Sequence, residues 1–384
     1  MNIDSIKNKF KELFSNNPLL VRSPGRINLI GEHTDYNDGF VFPAAIDKEV
    51  HFAVAINDMS KFRFYAFDLD ESFELEVDQL DKTKTSWANY LLGVAAQYKK
   101  AGHVIKGVDC VFGGDIPMGA GLSSSAAIEN GFAFALKELF GFKVSRMDMV
   151  KMAQKAEHEY AGVMCGIMDQ FASMNGKENS ALKLDCRTLD FEYANIDMAS
   201  YGIVLCDTNV KHELASSEYN TRRKECETGV EILQKYNENI AALRDISIEF
   251  LEKHKAEFDP VVYKRCEYVV KENNRVEKAF AAIHNSDIEE LGRLMYKSHE
   301  GLRDEYEVSC SELDVMYTIA RKSDYVIGSR MMGGGFGGCT INLVKIENIE
   351  DFSETIRVGY MQTTGIEPEI HIVKITGGTG ILNV

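Results

Sequence analysis

The chain has 384 residues, of which 45% are hydrophobic and 27% charged, with 43 Lys and Arg against 59 Asp and Glu for a net charge of −16. That length exceeds what one hydrophobic core organises, so two lobes with a cleft between them are expected. The acidic balance argues against a nucleic-acid partner, which needs concentrated Lys and Arg, and the absence of a bilayer-length apolar run argues against a membrane span.

The opening MNIDSIKNKFKELFSNN sets Ile6, Phe10, Leu13 and Phe14 at helical spacing among charges. This is neither a secretory apolar region nor an Arg-rich transit peptide, and a cytoplasmic location is expected. HFAVAIND, KFRFYAFD and FELEV are short runs of β-formers and read as antiparallel strands. TSWANYLLGVAAQYKKAG reads as a helix stopped by Gly102, and GVDCVFGGDI as a strand. SSAAIENGFAFALKELFG and SRMDMVKMAQKAEHEYAG read as helices stopped by Gly141 and Gly162, and SALKLDC and YGIVLCDTN as strands. From about Glu213 to Lys322 the period is helical. YVIGSRMM, a glycine loop, CTINLVK, a helix from near Ile349 to Gln362, and PEIHIVKIT complete the chain. Strands cluster and helices cluster, so the fold class is α+β rather than doubly wound. Without a linker rich in Pro or Ser, the lobe boundary is placed near Leu189, giving residues 1–189 and 190–384. Eight cysteines, scattered from Cys110 to Cys339 without metal or redox spacing, read as reduced and mostly buried.

Four segments carry chemistry. SPGRINLIGEHTDYNDG gathers Arg26, Glu32, His33 and Asp35 around a Pro-Gly turn. Donors and acceptors that dense suit the hydroxyls of a sugar, although a solvated loop of caps and turns is an equal reading of this segment alone. His33 and Asp35 lack a further ligand at metal spacing. In GGDIPMGAGLSSSAA a strand ends in a Gly- and Ser-rich loop that opens a helix, so backbone N–H groups and the serines can cradle phosphate. Gly119, Gly121, Ser123, Ser124 and Ser125 are its candidates; a capped helix after a turn is the alternative, and no Walker sequence is present. In AEHEYAGVMCGIMDQF the glycines let the chain turn back, bringing Glu157 and Asp169 towards one phosphate, one to hold magnesium and the other to take a proton or orient a hydroxyl. His158 reads as structural. GSRMMGGGFGG contains G-x-G-x-x-G at Gly333, Gly335 and Gly338, but a strand pattern follows where that fingerprint needs a helix, so a backbone loop approaching a ligand is the better reading.

In this order the segments resemble those of the GHMP kinases, and the first is similar to the galactokinase signature; the likeness runs from Arg22 to the C-terminus. It implies two α+β lobes, the second ferredoxin-like with added helices, with ATP and galactose meeting between them. By resemblance Glu32, His33 and Asp35 bind galactose hydroxyls, Asp169 is the catalytic carboxylate with Arg26 beside it, and Tyr219 contacts the sugar. Ser125 and Glu157 match the magnesium pair. Trp87 and Tyr90 resemble aromatic residues near the adenine, while Trp87, the only tryptophan, equally reads as a core anchor. Magnesium, ATP and galactose are thus the expected ligands, and a monomer is expected. N-acetylgalactosamine kinase and a non-catalytic galactose and ATP sensor are the alternatives; the small residues Ala126 and Ala127 after Ser125 favour an enzyme.

Overall fold

The computed structural model describes residues 3–117, 119–211 and 215–383. In the first lobe the elements are α1 (Ile3–Phe14), β1 (Leu19–Asn28), β2 (Phe40–Val41), β3 (Pro43–Asn57), β4 (Lys61–Ala66) and β5 (Glu71–Glu76). They continue with α2 (Ser86–Lys100), β6 (Gly107–Gly114), α3 (Ser124–Phe140), α4 (Arg146–Ala156), α5 (Met168–Asn175), β7 (Ser180–Asp185) and β8 (Phe191–Asn195). The second lobe has β9 (Tyr201–Lys211), α6 (Ala215–Gln234), α7 (Ile248–Lys253), α8 (Pro260–His284), α9 (Ile288–Asp304) and α10 (Ser311–Arg321). It closes with β10 (Val326–Met331), β11 (Gly337–Lys345), α11 (Ile349–Thr364) and β12 (Glu369–Val373), after which β13 (Gly380–Ile381) returns to the first lobe. The helical start expected at Glu213 lies outside the described residues. Among the described residues no helix is long and apolar enough to cross a membrane.

A six-stranded sheet in the order β13-β1-β3-β6-β4-β5 forms the first lobe's frame, antiparallel except for the β4–β6 pair. Its central strands are apolar on both faces because both are covered. Ile6 and Phe10 of α1 pack on one face with Leu20, Ala53 and Val111. On the other, Phe52, Phe64 and Phe112 meet Leu91 of α2 and Phe132 of α3. The second lobe's antiparallel sheet runs β10-β11-β9-β12, with Met316 of α10 and Phe352 and Ile356 of α11 against one face. Its other face, through Ile203, Leu205, Ile341 and Leu343, is continuous with the first lobe's core. α6, α7 and α8 build a separate apolar cluster around Leu233, Leu251 and Val269.

The boundary expected near Leu189 falls in the turn between β7 and β8. β7 and β8 pair in a three-stranded sheet with β2, and β13 returns to pair with β1 at Val21 and Arg22. We propose a division after β8, with the C-terminal tail counted in the first lobe. The first of the four segments differs from expectation as well: Ser23 to Asn28 is strand rather than loop. The Pro24-Gly25 pair hid it, because the β1–β3 register shifts there, between Pro24 and Arg26.

Candidate active site

Past the end of β1 the chain turns into the cleft through Gly31, in left-handed backbone, where the buried Glu272 carboxylate accepts the Gly31 N–H at 2.9 Å. Glu32 is tied rather than free. Its Oε1 accepts from Gly333 N at 2.9 Å and from the guanidinium of Arg330 at 3.0 Å, joining this loop to the glycine loop after β10. His33 holds φ at 63°, a strained value for a side chain of this size, of the kind found at ligand-binding positions. Burial, with Arg222 and Arg330 nearby, pushes its pKa down to about 3, so the imidazole is neutral. Asp35 opens a short 3₁₀ turn and accepts the Tyr36 N–H at 3.0 Å. Burial raises its pKa to about 7, and the neighbouring Asp169 adds to the rise. The chain passes so close at Gly166 that any side chain there would collide with the Asp35 carboxylate.

Asp169 stands in the first turn of α5, a position that favours acidic residues. Arg26 Nε donates to its Oδ1 at 2.7 Å and Ser123 Oγ to its Oδ2 at 2.7 Å. Both carboxylate oxygens are therefore held, while the side chain keeps 27% exposure towards the cavity; Arg26 itself is 4% exposed. A second Arg26 nitrogen donates to Gly121 O at 2.6 Å, fastening the pair to the loop between β6 and α3. Burial opposes the Arg26 charge, but Asp169, Glu32 and Asp35 together outweigh it and raise its pKa.

That loop turns through Gly119 and Gly121 at positive φ, and Ser123 takes φ 61°. Ser123 thereby reaches Asp169 instead of capping α3, which starts at Ser124 with no side-chain cap. The unpaired N–H groups of the helix start are left for an anion. One residue in, Ser125 Oγ donates to Glu157 Oε1 at 2.9 Å, and Gln170 Nε2 donates to Glu157 Oε2 at 2.6 Å. Glu157 begins a π-helical turn, Glu157–Ala161, that interrupts the helix after Ala156 and re-aims its side chain. Burial raises the Glu157 pKa and Asp169 adds to it, an environment that a bound cation would relieve.

A cavity of about 170 Å³ joins these parts, lined by Arg26, Glu32, His33, Asp35, Glu157, Asp169, Tyr219 and Gly334 among others. The structure thus brings together the residues read from three distant segments. Tyr219, on α6, packs its ring 5.3 Å from both His33 and Tyr36 and lies over Gly334. Ser124 is half-buried at the start of α3. Trp87 is 8% exposed between Phe73 and Phe112, its indole donating to Glu71, so its position is that of a core anchor. Tyr90 sits on the same helix with its pKa raised to about 12 by burial and by Glu157. His158 bonds the Cys165 carbonyl at 2.8 Å. Sequence reasoning passed over Arg330, Tyr36 and Gln170. Arg330 alone carried a signal, a cation inside the otherwise apolar strand YVIGSRMM.

Two α+β lobes, an uncapped helix start above glycine turns, and a clamped carboxylate facing a small polar cavity define a small-molecule kinase of the GHMP type. The comparisons agree. The chain matches the galactokinase galactose-binding signature over residues 8–56, the GHMP kinase N-terminal domain over residues 89–177 and the GHMP kinase C-terminal domain over residues 279–352. It is 43% identical to a galactokinase of Clostridium acetobutylicum over 99% of this chain and 98% of that one. It is also 43% identical to a galactokinase of Thermosipho africanus over 95% of this chain and 99% of that one. The crystal structure of Lactococcus lactis galactokinase complexed with galactose superposes with a TM-score of 0.95 at 35% identity, covering 99% of this chain and all of that one. A mevalonate kinase, at 18% identity and TM-score 0.64 over 94% of this chain and 99% of that one, shares the fold. The chain belongs to the galactokinase family.

Proposed function

We propose that the chain transfers the γ-phosphoryl group of ATP to the anomeric C1 hydroxyl of galactose, giving galactose 1-phosphate and ADP. The observation that carries this reading is Asp169, held by Arg26 and Ser123 where the sugar-sized cavity meets the open start of α3. Glu32, His33, Asp35 and Tyr219 hold the sugar hydroxyls. Gly119, Gly121, Ser123, Ser124 and Ser125 line the phosphate side, with Tyr90 towards the nucleotide and Trp87 supporting it from the core. The C1 oxygen bonds to the γ-phosphorus as the bond to the β–γ bridging oxygen breaks, ADP leaving with that electron pair. Asp169 accepts or orients the departing proton of the C1 hydroxyl, and Arg26 offsets charge on the group in flight. A monomeric, cytoplasmic enzyme completes the proposal.

Ser125 and Glu157 supply a hydroxyl and a carboxylate oxygen 2.9 Å apart, hard donors of the kind magnesium takes together with phosphates and water. When bound there, magnesium would neutralise charge on the nucleotide phosphates. Ser125→Ala should lower turnover most at limiting magnesium and leave the galactose KM near the parent value; equal kinetics across a magnesium titration would remove Ser125 from this role.

Release of ADP with galactose and Mg-ATP, compared with N-acetylgalactosamine as acceptor, tests the reaction. Binding of galactose without turnover would favour a sensor, and preference for the acetamido sugar the neighbouring kinase. The same assay should show a pH signature. A carboxylate that accepts sugar hydroxyls binds best when ionised, so with the Asp35 pKa near 7 the galactose KM should fall as pH rises towards 7 and level off above it. Asp35→Asn should flatten this dependence; a KM profile in that variant that matches the parent would show that another group titrates.

A further inference from the structure

Behind the sugar cavity runs a buried chain of hydrogen-bonding groups that phosphoryl transfer does not itself require. His33 Nδ1 lies 2.7 Å from Tyr36 Oη, which lies 2.8 Å from Tyr306 Oη, which in turn lies 3.2 Å from Cys226 Sγ. Tyr306 and Cys226 are buried and Tyr36 is partly so. Burial raises the pKa of both phenols well above its ordinary value and that of the thiol to about 11, so each carries its proton. The neutral imidazole carries one more. The other ring nitrogen, Nε2, is buried and has no hydrogen-bond partner among the described residues, and His33 lines the cavity.

Two orders of protons satisfy the three links. In one, the thiol donates to Tyr306, Tyr306 to Tyr36, and Tyr36 to Nδ1, leaving the imidazole proton on Nε2. In the other every bond is reversed and the chain ends on the thiol sulfur. The imidazole lone pair is the strongest neutral acceptor present and a thiol sulfur the weakest, so the first order makes the better bonds.

We infer that the Tyr36–Tyr306–Cys226 chain fixes His33 as its Nε2–H tautomer, so that His33 can only donate to the sugar and Tyr36 and Tyr306 are positioning residues for sugar specificity. The inference rests on the galactose reading of this cavity. A fixed donor selects a sugar that offers an acceptor oxygen at that point and rejects an analogue lacking it, because the N–H would then be buried unpaired.

The full-length chain, labelled with ¹⁵N-histidine, reports the tautomer directly in a two-bond ¹H–¹⁵N spectrum, with His33 assigned by its loss in His33→Gln. The parent protein should show Nε2–H without sugar. Tyr36→Phe should raise the galactose KM by at least about tenfold with a smaller change in kcat, the scale of one lost hydrogen bond, and Tyr306→Phe should act in the same direction but less. Across monodeoxygalactoses, discrimination against one analogue should shrink in Tyr36→Phe while the others keep theirs. An Nδ1–H tautomer in the parent, or an equal rise in KM for galactose and every monodeoxy analogue, would overturn the inference. Failure of the parent to phosphorylate galactose would instead overturn the functional reading, and the tautomer spectrum separates the two because it needs no turnover.

Discussion

Replacing Asp169 by Asn should give a folded protein that still binds ATP and galactose but turns over at least about 10²-fold more slowly, the lower end for losing a positioned acid–base group. The geometry explains why folding should survive. The amide oxygen can accept from Arg26 Nε, where Asp169 Oδ1 now sits at 2.7 Å, and the amide nitrogen then faces Ser123, whose hydroxyl can rotate from donor to acceptor. What disappears is the negative charge and the capacity to take a proton. Asp169→Ala differs, because it leaves the guanidinium of Arg26 buried without its main partner, and that variant should lose stability as well as rate. Thermal melts beside steady-state kinetics separate these effects. A folded Asp169→Asn protein with near-parent turnover would remove Asp169 from the chemistry and leave it an ordinary ion-pair partner.

Much of this site was legible in the sequence because its parts lie where local rules are strong. Gly141 and Gly162 stop helices in left-handed backbone where expected, and the strand-to-helix passage through GAGLSSS forms the open helix start. What stayed hidden depends on contacts distant in sequence. The sequence of β1 reads as loop because its pattern is broken by Pro24 and Gly25, and its strand character comes from pairing with β3 and β13. The short helix α5, which presents Asp169, has no capping residue before it, since Ile167 stands at its N-cap. Ser123 looked like a phosphate ligand or a cap, yet its hydroxyl spends its bond on Asp169. Tyr36 and Tyr306 lie far apart in the chain and become one hydrogen-bonded unit only where the helical cluster of α6, α8 and α9 that buries Tyr306 meets the signature loop at Tyr36.

Arg330 offers the largest expected effect on stability, and a separate test of how the lobes are joined. It is fully buried, and its guanidinium donates to Leu29 O at 2.9 Å, to Met331 O at 2.7 Å, to Asn28 O, and to Glu32 Oε1 at 3.0 Å. Four acceptors from β1, the signature loop and β10 thus depend on one planar cation. Arg330→Leu fills part of the volume but leaves the Glu32 carboxylate buried with only the Gly333 N–H and strands the carbonyls, so a loss of about 3–5 kcal/mol is expected. Arg330→Lys keeps the charge without the fork and should recover only part of it. The galactose KM should rise in both, because Glu32 loses the bond that orients it, whereas a purely structural strut would lower the denaturation midpoint and leave the KM of the remaining folded protein unchanged. Combining Arg330→Leu with Glu32→Gln discriminates further. If the damage comes from an uncompensated carboxylate, neutralising Glu32 should return a measurable part of the lost stability; additive losses in the double variant would place the effect in the stranded carbonyls of β1 instead.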